Sequence, residues 1–313
     1  MQSREIFKVV KPGMYTTFQD LGRTGFQRYG VPPGGAMDPF ALQIANILAG
    51  NPPGTAALEV TLLGPELIAC TDITIVITGA DLGAQLNGRP TEMWSTRRMK
   101  EGDRLSFGKY RSGSRAYIAV SGGFDAPEYL GSSSVDGNIG IGSLLKKMDK
   151  LNGYPQPREQ GIGLARKHIP VYGNSIRTAV IEGPHTEAFT SAGRETFFHT
   201  IHRVEANSNR MGYRLRSEQI KVREDAEIWS DAVPFGGIQV PGNGQPIILM
   251  ADRQTTGGYP RIGTITSADI PNVAQLAPGG EISFYSISVE DAQERLRRMR
   301  EFLHELYLFS QYI

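Results

Sequence analysis

The sequence has one cysteine, almost no net charge and no long apolar run, and each of these absences excludes a class of protein. Cys70 alone among 313 residues can form neither an internal disulfide nor a cysteine-based zinc or iron–sulfur site. The chain has 33 Lys and Arg and 32 Asp and Glu, which gives a net charge of +1. Because so small a charge does not attract a polyanion, a nucleic-acid-binding protein is disfavoured. No apolar stretch approaches the roughly 18 residues of a membrane helix, and no secretory signal is recognisable. We therefore expect a cytoplasmic protein with no membrane or nucleic-acid partner.

Familiar catalytic motifs are absent as well. The sequence contains no P-loop and no Gly-x-Ser-x-Gly elbow, and the glycines of 137–142 are in the wrong order for a dinucleotide fingerprint. His199 and His202 are the closest histidines; on a strand this separation would place them on opposite faces, so no metal site is predicted. Cys70 ends an apolar run and is interpreted as a small buried side chain on a strand.

Short β-branched runs bounded by turn residues dominate what is present. The 37 Gly and 19 Pro are spread along the chain rather than collected in one tract. Strands are predicted at 73–78, 115–120, 177–182, 246–250 and 281–287. Only two helices are indicated: one with Asp38 as N-cap, Pro39 at its first position and Gly50 at its end, and one opened by Ser288 and Asp291. The fold is therefore predicted to be mostly β with few helices.

A weak internal repeat suggests two related β domains. Four short matches occur in the same order in the two halves of the chain: 23–25 with 210–212, 31–35 with 233–237, 80–81 with 251–252, and 102–107 with 279–284. A polar, proline-containing segment at 150–161 lies between the repeats. We predict an N-terminal domain of residues 1–150 and a C-terminal domain of residues 151–313.

The first of three blocks with functional character covers residues 16–25 and leads into Asp38. Gln19, Asp20 and Arg23 lie close together among glycines that allow a ligand to approach the backbone. Arg23 could form a forked contact with a carboxylate or phosphate. The alternative is a turn in which Asp20 and Arg23 pair at the surface while Asp38 only caps its helix.

The second and third blocks lie in the C-terminal half. Arg210 and Arg214 flank a glycine and a tyrosine, which suits either an anion clamp or a solvated strand face. In the third block an apolar strand runs into Asp252-Arg-Gln-Thr-Thr256 and a Gly-Gly turn. Five polar side chains at the end of a strand favour a binding loop over a purely structural network.

Nine collinear stretches give the sequence a family resemblance. They are 16–25, 35–38, 57–65, 78–81, 117–123, 130–132, 209–215, 237–241 and 252–260. On these stretches the chain resembles the allophanate hydrolase subunit 2 and Kip antagonist family, also called the 5-oxoprolinase C component or biotin-dependent carboxyltransferase family. The resemblance implies two tandem cyclophilin-like β-barrel domains.

The resemblance also implies a function that needs partners. The chain would be the C component of an ATP-dependent 5-oxoprolinase that hydrolyses 5-oxo-L-proline to L-glutamate, and it would be inactive alone. Its partners would be an allophanate hydrolase subunit 1 or Kip-inhibitor-type subunit and a third subunit that handles the lactam, with ATP, with or without Mg, used by the complex. Two alternatives stay open: a regulatory partner that antagonises a Kip-type sensor-kinase inhibitor, and the carboxyltransferase subunit of a biotin-dependent urea or amide carboxylase.

Site residues follow from the chemistry that the resemblance implies. Activating a lactam oxygen with ATP requires cations for phosphate and carboxylate, groups that orient the amide, and a base. The expected cations are Arg23, Arg210 and Arg253; the orienting groups are Gln19, Gln239, Gln254, Thr255 and Thr256; the base or metal ligand is Asp38, Glu59 or Asp252. One departure from the family pattern is Ser133, which stands where the family has arginine.

Overall fold

The computed structural model describes residues 2–223 and 228–312, and it confirms the mostly-β fold with few helices. Four α-helices lie in the described part of the chain: α1 (Pro39–Ala49), α2 (Ser191–His199), α3 (Ile270–Ala274) and α4 (Val289–Ser310). The strands are β1 (Arg4–Lys11), β2 (Tyr15–Gln19), β3 (Ala57–Thr61), β4 (Glu66–Ala69), β5 (Ile73–Asp81), β6 (Ala84–Leu86), β7 (Arg89–Pro90), β8 (Thr96–Met99), β9 (Arg104–Phe107), β10 (Ser112–Val120), β11 (Lys150–Gly153), β12 (Ser175–Glu182), β13 (His202–Val204), β14 (Gly212–Arg216), β15 (Asp231–Ala232), β16 (Gly237–Gln239), β17 (Ile247–Leu249), β18 (Thr256–Gly257), β19 (Arg261–Ile265) and β20 (Glu281–Ser286). All five predicted strands are present.

The chain forms two compact units. Unit 1 comprises Met1–Arg23, Gly34–Tyr172 and Glu301–Ile313, and unit 2 comprises Thr24–Pro33 and Gly173–Arg300. The division therefore lies near residue 172, whereas the sequence analysis placed it at residue 150. The physical reason is that β11 pairs with β1, so the start of the expected linker is a strand of unit 1.

Unit 1 contains two sheets that share one core. The first has the strand order β11-β1-β4-β9-β6-β7 and the second the order β2-β3-β10-β5-β8. Alternate residues of both sheets meet in the core, among them Phe7, Leu67, Leu105, Leu58, Ile77 and Ile118. The strands β5 and β10 are buried along almost their whole length. This burial arises because α1 packs on the face of the second sheet that points away from the core.

Helix α1 has the ends that its sequence predicts. The Asp38 carboxylate accepts a hydrogen bond from the Ala41 amide (2.9 Å), Pro39 occupies the first turn, and Gly50 ends the helix in the left-handed conformation (φ 80°). Arg158 completes the C-terminal end by donating to the Leu48 carbonyl (3.2 Å). These contacts fix the helix at both ends.

Unit 2 contains a closed barrel of seven strands. Its order is β12-β19-β16-β17-β14-β13-β20, and β12 and β20 close it as a parallel pair. Helix α4 begins in this unit with the predicted cap, since the Asp291 amide donates to Ser288 Oγ (3.0 Å). Helices α2 and α3 were not predicted. His199 ends α2 whereas His202 lies in β13, so the single strand considered for this pair is not formed.

The metal site, the membrane helix and the single cysteine considered in the sequence analysis can each be examined in the structure. In the described part of the chain no group of three or more His, Cys, Asp or Glu is placed to hold a metal ion. No helix found there has the length and apolar character that crossing a membrane requires. Cys70 directly follows β4 and is half-buried, and burial and the nearby Glu5 carboxylate raise the pKa of its thiol.

Candidate functional site

A row of four buried polar side chains crosses the second sheet of unit 1. Thr17, Glu59, Tyr117 and Thr78 are direct neighbours on β2, β3, β10 and β5, so their side chains lie on the same face of the sheet. All four are fully buried. Thr78 Oγ1 donates to the Ala41 carbonyl of α1 (2.7 Å), which places the row beneath that helix. We call it the buried polar row.

The Tyr117 hydroxyl connects Glu59, one of the predicted acids, to the backbone of Asp38, another of them. Tyr117 donates to Glu59 Oε2 (2.8 Å) and accepts from the Asp38 amide (2.8 Å), while the Met37 amide donates to the same Glu59 oxygen (2.8 Å). Tyr172 donates to the second carboxylate oxygen of Asp38 (3.3 Å). Burial, together with the nearby carboxylates, holds the pKa of both tyrosines well above its ordinary value. Both acids are thus fully buried and held by several donors.

The other two predicted residues of unit 1, Gln19 and Arg23, hold the segment around Ser134. Gln19 Nε2 donates to Thr17 Oγ1 (3.0 Å), which connects it to the buried polar row, and to the Val135 carbonyl (2.9 Å). Arg23 donates to the carbonyl of Ser134. Only 1% of Arg23 is exposed, so the alternative of a surface turn is wrong for this residue.

Asp20 completes this arrangement, and the sequence analysis did not give it that role. Its carboxylate accepts hydrogen bonds from Ser132 Oγ (2.7 Å), Ser134 Oγ (2.6 Å) and the Ser133 amide (2.7 Å). Asp20 therefore holds the segment 132–135 together with Gln19 and Arg23. Three consecutive serines beside a glycine-rich turn were the available signal, because short hydroxyl side chains pair readily with a nearby carboxylate.

In unit 2 the predicted residues Arg210 and Asp252 form a buried forked ion pair. Arg210 Nε donates to Asp252 Oδ2 (2.7 Å) and Nη2 to Oδ1 (2.8 Å). Strands β14 and β17 bring them together, since Gly212 pairs with Leu249 and the Asp252 amide donates to the Arg210 carbonyl (2.9 Å). Of the two alternatives for Arg210 and Arg214, a clamp formed by both is not present, because Arg210 is buried against Asp252; Arg214 is exposed, as on a solvated strand face.

The side chain of the neighbouring Arg253 is also held by contacts inside unit 2. Its Nε donates to the Val233 carbonyl (2.9 Å), and its guanidinium lies 5.5 Å from the centre of the Phe235 ring. Burial lowers the pKa of Arg253 to about 10. Asp252 and Arg253 therefore fix the start of the 252–256 segment.

The rest of the 252–256 segment faces outward. Gln254 and Thr256 are exposed and Thr255 is half-buried. Gln254 Nε2 donates to the buried Gln239 Oε1 (3.4 Å), and the Thr255 carbonyl accepts from the Val233 amide (3.2 Å). Buried groups thus hold a short row of amide and hydroxyl side chains at the surface, which is the arrangement of a preorganised binding loop.

The predicted site residues therefore form one cluster in each unit. Unit 1 holds Gln19, Arg23, Asp38 and Glu59, and unit 2 holds Arg210, Gln239, Asp252, Arg253, Gln254, Thr255 and Thr256. Sequence reasoning missed Tyr117, which bonds to the Glu59 carboxylate and to the backbone amide of Asp38. A tyrosine within the apolar run 116–120 was the available signal, because a buried hydroxyl requires a polar partner.

Comparison with known proteins identifies the family. Residues 29–286 match the family model of the carboxyltransferase domain, subdomains A and B. The chain belongs to this family. It is 39% identical to the C component of 5-oxoprolinase from Escherichia coli K12 over 96% of this chain and 97% of that protein.

Two further similar proteins are much longer. The chain is 34% identical to urea amidolyase of Lachancea kluyveri over 92% of its length, which corresponds to 17% of that protein. The crystal structure of the K. lactis urea amidolyase matches with a TM-score of 0.90 and 31% identity, covering 98% of this chain and 20% of the other. The predicted family and the mostly-β fold of a carboxyltransferase domain are both confirmed.

Proposed function

We propose that this chain is the C component of an ATP-dependent 5-oxoprolinase, which opens 5-oxo-L-proline to L-glutamate together with partner subunits. The observation that carries this proposal is the match to the 5-oxoprolinase C component of E. coli, which is 39% identical over 97% of that protein. The urea amidolyase match, in contrast, covers only 17% of the longer protein. Because this chain and the E. coli protein match over nearly their whole lengths, we infer that this chain is likewise one subunit among several.

The 252–256 segment supplies the groups that such a reaction needs from this chain. A lactam presents one carbonyl oxygen and one N–H, and both must be oriented before water attacks. The exposed Gln254 amide and the Thr256 hydroxyl offer donors for the carbonyl oxygen. Because buried Arg210, Asp252 and Arg253 hold this segment, its outward groups lose little freedom when substrate binds.

The three arginines that the sequence analysis expected to bind phosphate are not placed to bind ATP. Arg23 donates to a backbone carbonyl, Arg210 to Asp252 and Arg253 to backbone carbonyls, and all three are buried. A triphosphate requires cations that can turn toward it. We therefore propose that the nucleotide, with any Mg, binds to a partner subunit.

The three predicted acids serve to position other groups in this proposal. Asp38 caps α1, Glu59 anchors the Met37 amide, and Asp252 holds Arg210. A general base must reach the proton that it removes. Asp38 and Glu59 are fully buried and Asp252 is 1% exposed, so they act through the groups that they hold.

The test is ATP-dependent glutamate release by this chain co-expressed with a subunit 1-type partner and a lactam-handling partner. We expect activity in the complete mixture and none when this chain is omitted. Glutamate release at the same rate without this chain would contradict the proposal. A stable complex without oxoprolinase activity would favour the second candidate.

That second candidate is the carboxyltransferase subunit of a biotin-dependent urea or amide carboxylase. The TM-score of 0.90 to the urea amidolyase structure over 98% of this chain favours it. It is tested by transfer of labelled carboxylate from carboxybiotin to urea or another amide. Transfer to urea that depends on this chain, with no glutamate release, would select it over the first proposal.

A further inference from the structure

A cavity of about 400 Å³ lies on unit 2 where the second and third sequence blocks meet. Its lining includes Glu205, Arg214, Pro241, Gln245, Ile247 and Tyr259. The volume falls within the range of small-molecule sites, roughly 300–1,000 Å³. We call it the unit 2 cavity.

Strand register connects the cavity to the predicted site. Gln239 on β16 pairs with Ile247 on β17, and Ile247 pairs with Arg214 on β14. The Glu205 amide donates to the Arg214 carbonyl (2.8 Å), so Glu205 lies opposite Arg214 just beyond β13. These four residues form one row across the barrel. Because Tyr213 and Leu215, which flank Arg214, are buried, the row faces outward.

The row is continuous with the 252–256 segment at one end. Gln239 Nε2 donates to the Tyr259 carbonyl (3.5 Å), and Gln239 Oε1 accepts from Gln254. Tyr259 itself lines the cavity and is 51% exposed. The cavity thus lies beside the outward groups that the proposed function uses.

The lining groups are complementary to a ligand with one negative and one N–H group. Arg214 is a forked donor that matches a carboxylate, and Glu205 can accept from an amide N–H. The Gln245 side chain is held in one orientation on the cavity wall, because its amide oxygen accepts from the Ser217 amide (2.9 Å) and its amide nitrogen donates to the Ser217 carbonyl (3.2 Å). Pro241, Pro246 and Ile247 supply apolar surface for a small ring.

We propose that the unit 2 cavity binds a small cyclic amide that carries a carboxylate, with Arg214 holding the carboxylate and Glu205 facing the amide N–H. The choice of ligand rests on the proposed function, whereas the site rests on the residues that line it. Arg214 is a specificity residue in this assignment: it distinguishes 5-oxo-L-proline from an amide without a carboxylate.

The test compares Arg214→Gln with Arg216→Gln. Arg216 is an exposed arginine two residues along the same strand and does not line the cavity. Isothermal titration calorimetry of the full chain uses 5-oxo-L-proline and 2-pyrrolidinone, which has the same ring without the carboxylate. Losing a charge-assisted fork is expected to weaken 5-oxo-L-proline binding about 10- to 100-fold in R214Q. R216Q is expected to bind like the wild type, and 2-pyrrolidinone to bind the wild type and R214Q equally.

Kinetics of the co-expressed complex separate this inference from the proposed function. With R214Q we expect a higher KM for 5-oxo-L-proline and a nearly unchanged kcat, because the carboxylate keeps its charge throughout the reaction and Arg214 therefore holds the ground state and the transition state equally. An active complex whose KM and affinity are the same with R214Q and R216Q overturns the cavity assignment and leaves the function standing. A complex that never releases glutamate overturns the function, and the titration then decides the cavity alone. Absence of 5-oxo-L-proline binding to the wild-type chain in that case overturns the cavity assignment too.

Discussion

Asp252 receives two hydrogen bonds from the guanidinium of Arg210, and the two side chains are 0% and 6% exposed. A pair so far from water has lost the hydration of both charges, and each charge now depends on the other. The pair joins the second and third sequence blocks, whose members are separated by 42 positions in the chain. It is thus the anchor of the 252–256 segment.

Breaking this pair is expected to be costly. Arg210→Met leaves Asp252 buried without its forked donor, and we expect the free energy of unfolding to fall by about 3–5 kcal/mol. Urea unfolding followed by circular dichroism measures it. The control is Arg203→Met, which removes the partner of Glu281 from an ion pair whose arginine is 69% exposed and is expected to cost at most about 1 kcal/mol. Equal losses in the two variants would contradict a special role for the buried pair.

The Tyr117 hydroxyl should make stability depend on alkaline pH. In the unfolded chain a tyrosine ionises at about pH 10, whereas burial and the neighbouring Glu59 raise the pKa of folded Tyr117. Its contribution is therefore complete below about pH 10 and is lost as pH rises above that value. Tyr117→Phe should cost about 1–3 kcal/mol at neutral pH and lose less stability than the wild type above about pH 10.

Unfolding curves at several pH values between about 8 and 11 test this dependence. Tyr312→Phe is the control, because Tyr312 is 90% exposed and its replacement should leave the pH dependence unchanged. Parallel curves for the wild type and Y117F would show that the Tyr117 hydroxyl does not contribute in this way.

The exposed end of the 252–256 segment should matter for activity and little for folding. Gln254→Ala is expected to lower glutamate release by the co-expressed complex about tenfold or more, because an amide that orients the lactam is lost. The unfolding midpoint should change little, since the side chain is exposed. Gln293→Ala on α4, also exposed, is the matched control. Full activity of Q254A would remove this segment from the substrate site.

A side chain at Gly79 is predicted to lower the free energy of unfolding, because this position combines a left-handed backbone with a close neighbouring strand. Its φ is 78°, and an added Cβ would lie 2.3 Å from the Arg115 carbonyl oxygen on the neighbouring strand. Gly88 has almost the same φ of 76° and open space around it. Gly88→Ala should cost about 1 kcal/mol, the left-handed penalty, and Gly79→Ala about 1–3 kcal/mol more. Thermal unfolding of the two variants measures the difference, and equal midpoints would contradict it.

Local features of the fold were predictable because their causes are local. Asp38, Pro39 and Gly50 mark the ends of α1 through contacts within a few residues, and the structure confirms each one. Helix α2 was missed because only Gly193 and Phe197 of its residues are buried, which gives no apolar stripe at helical spacing.

The candidate site was predictable only in part. Arg210 and Asp252 were each singled out, but their pairing depends on the register of β14 with β17, which composition does not specify. The same holds for Tyr117, which meets Glu59 because β10 and β3 pair at that position. Arg214 was grouped with Arg210 because residues four apart share a face of one strand. β14 begins only at Gly212, so Arg210 lies outside the strand and is buried, whereas Arg214 is exposed.

Helix α4 belongs to both units, because the boundary between unit 2 and unit 1 lies at residues 300–301. This division affects the order in which the chain can fold during synthesis. Residues 301–313 belong to unit 1, and Arg158 of that unit donates to the Ser310 carbonyl (3.0 Å) near the end of the helix. Residues 24–33, near the start of the chain, belong to unit 2. Domains that are continuous in sequence fold one after another as they leave the ribosome. Here unit 1 can form its last contacts only after unit 2 has been synthesised, so a chain that ends before residue 301 would lack part of unit 1.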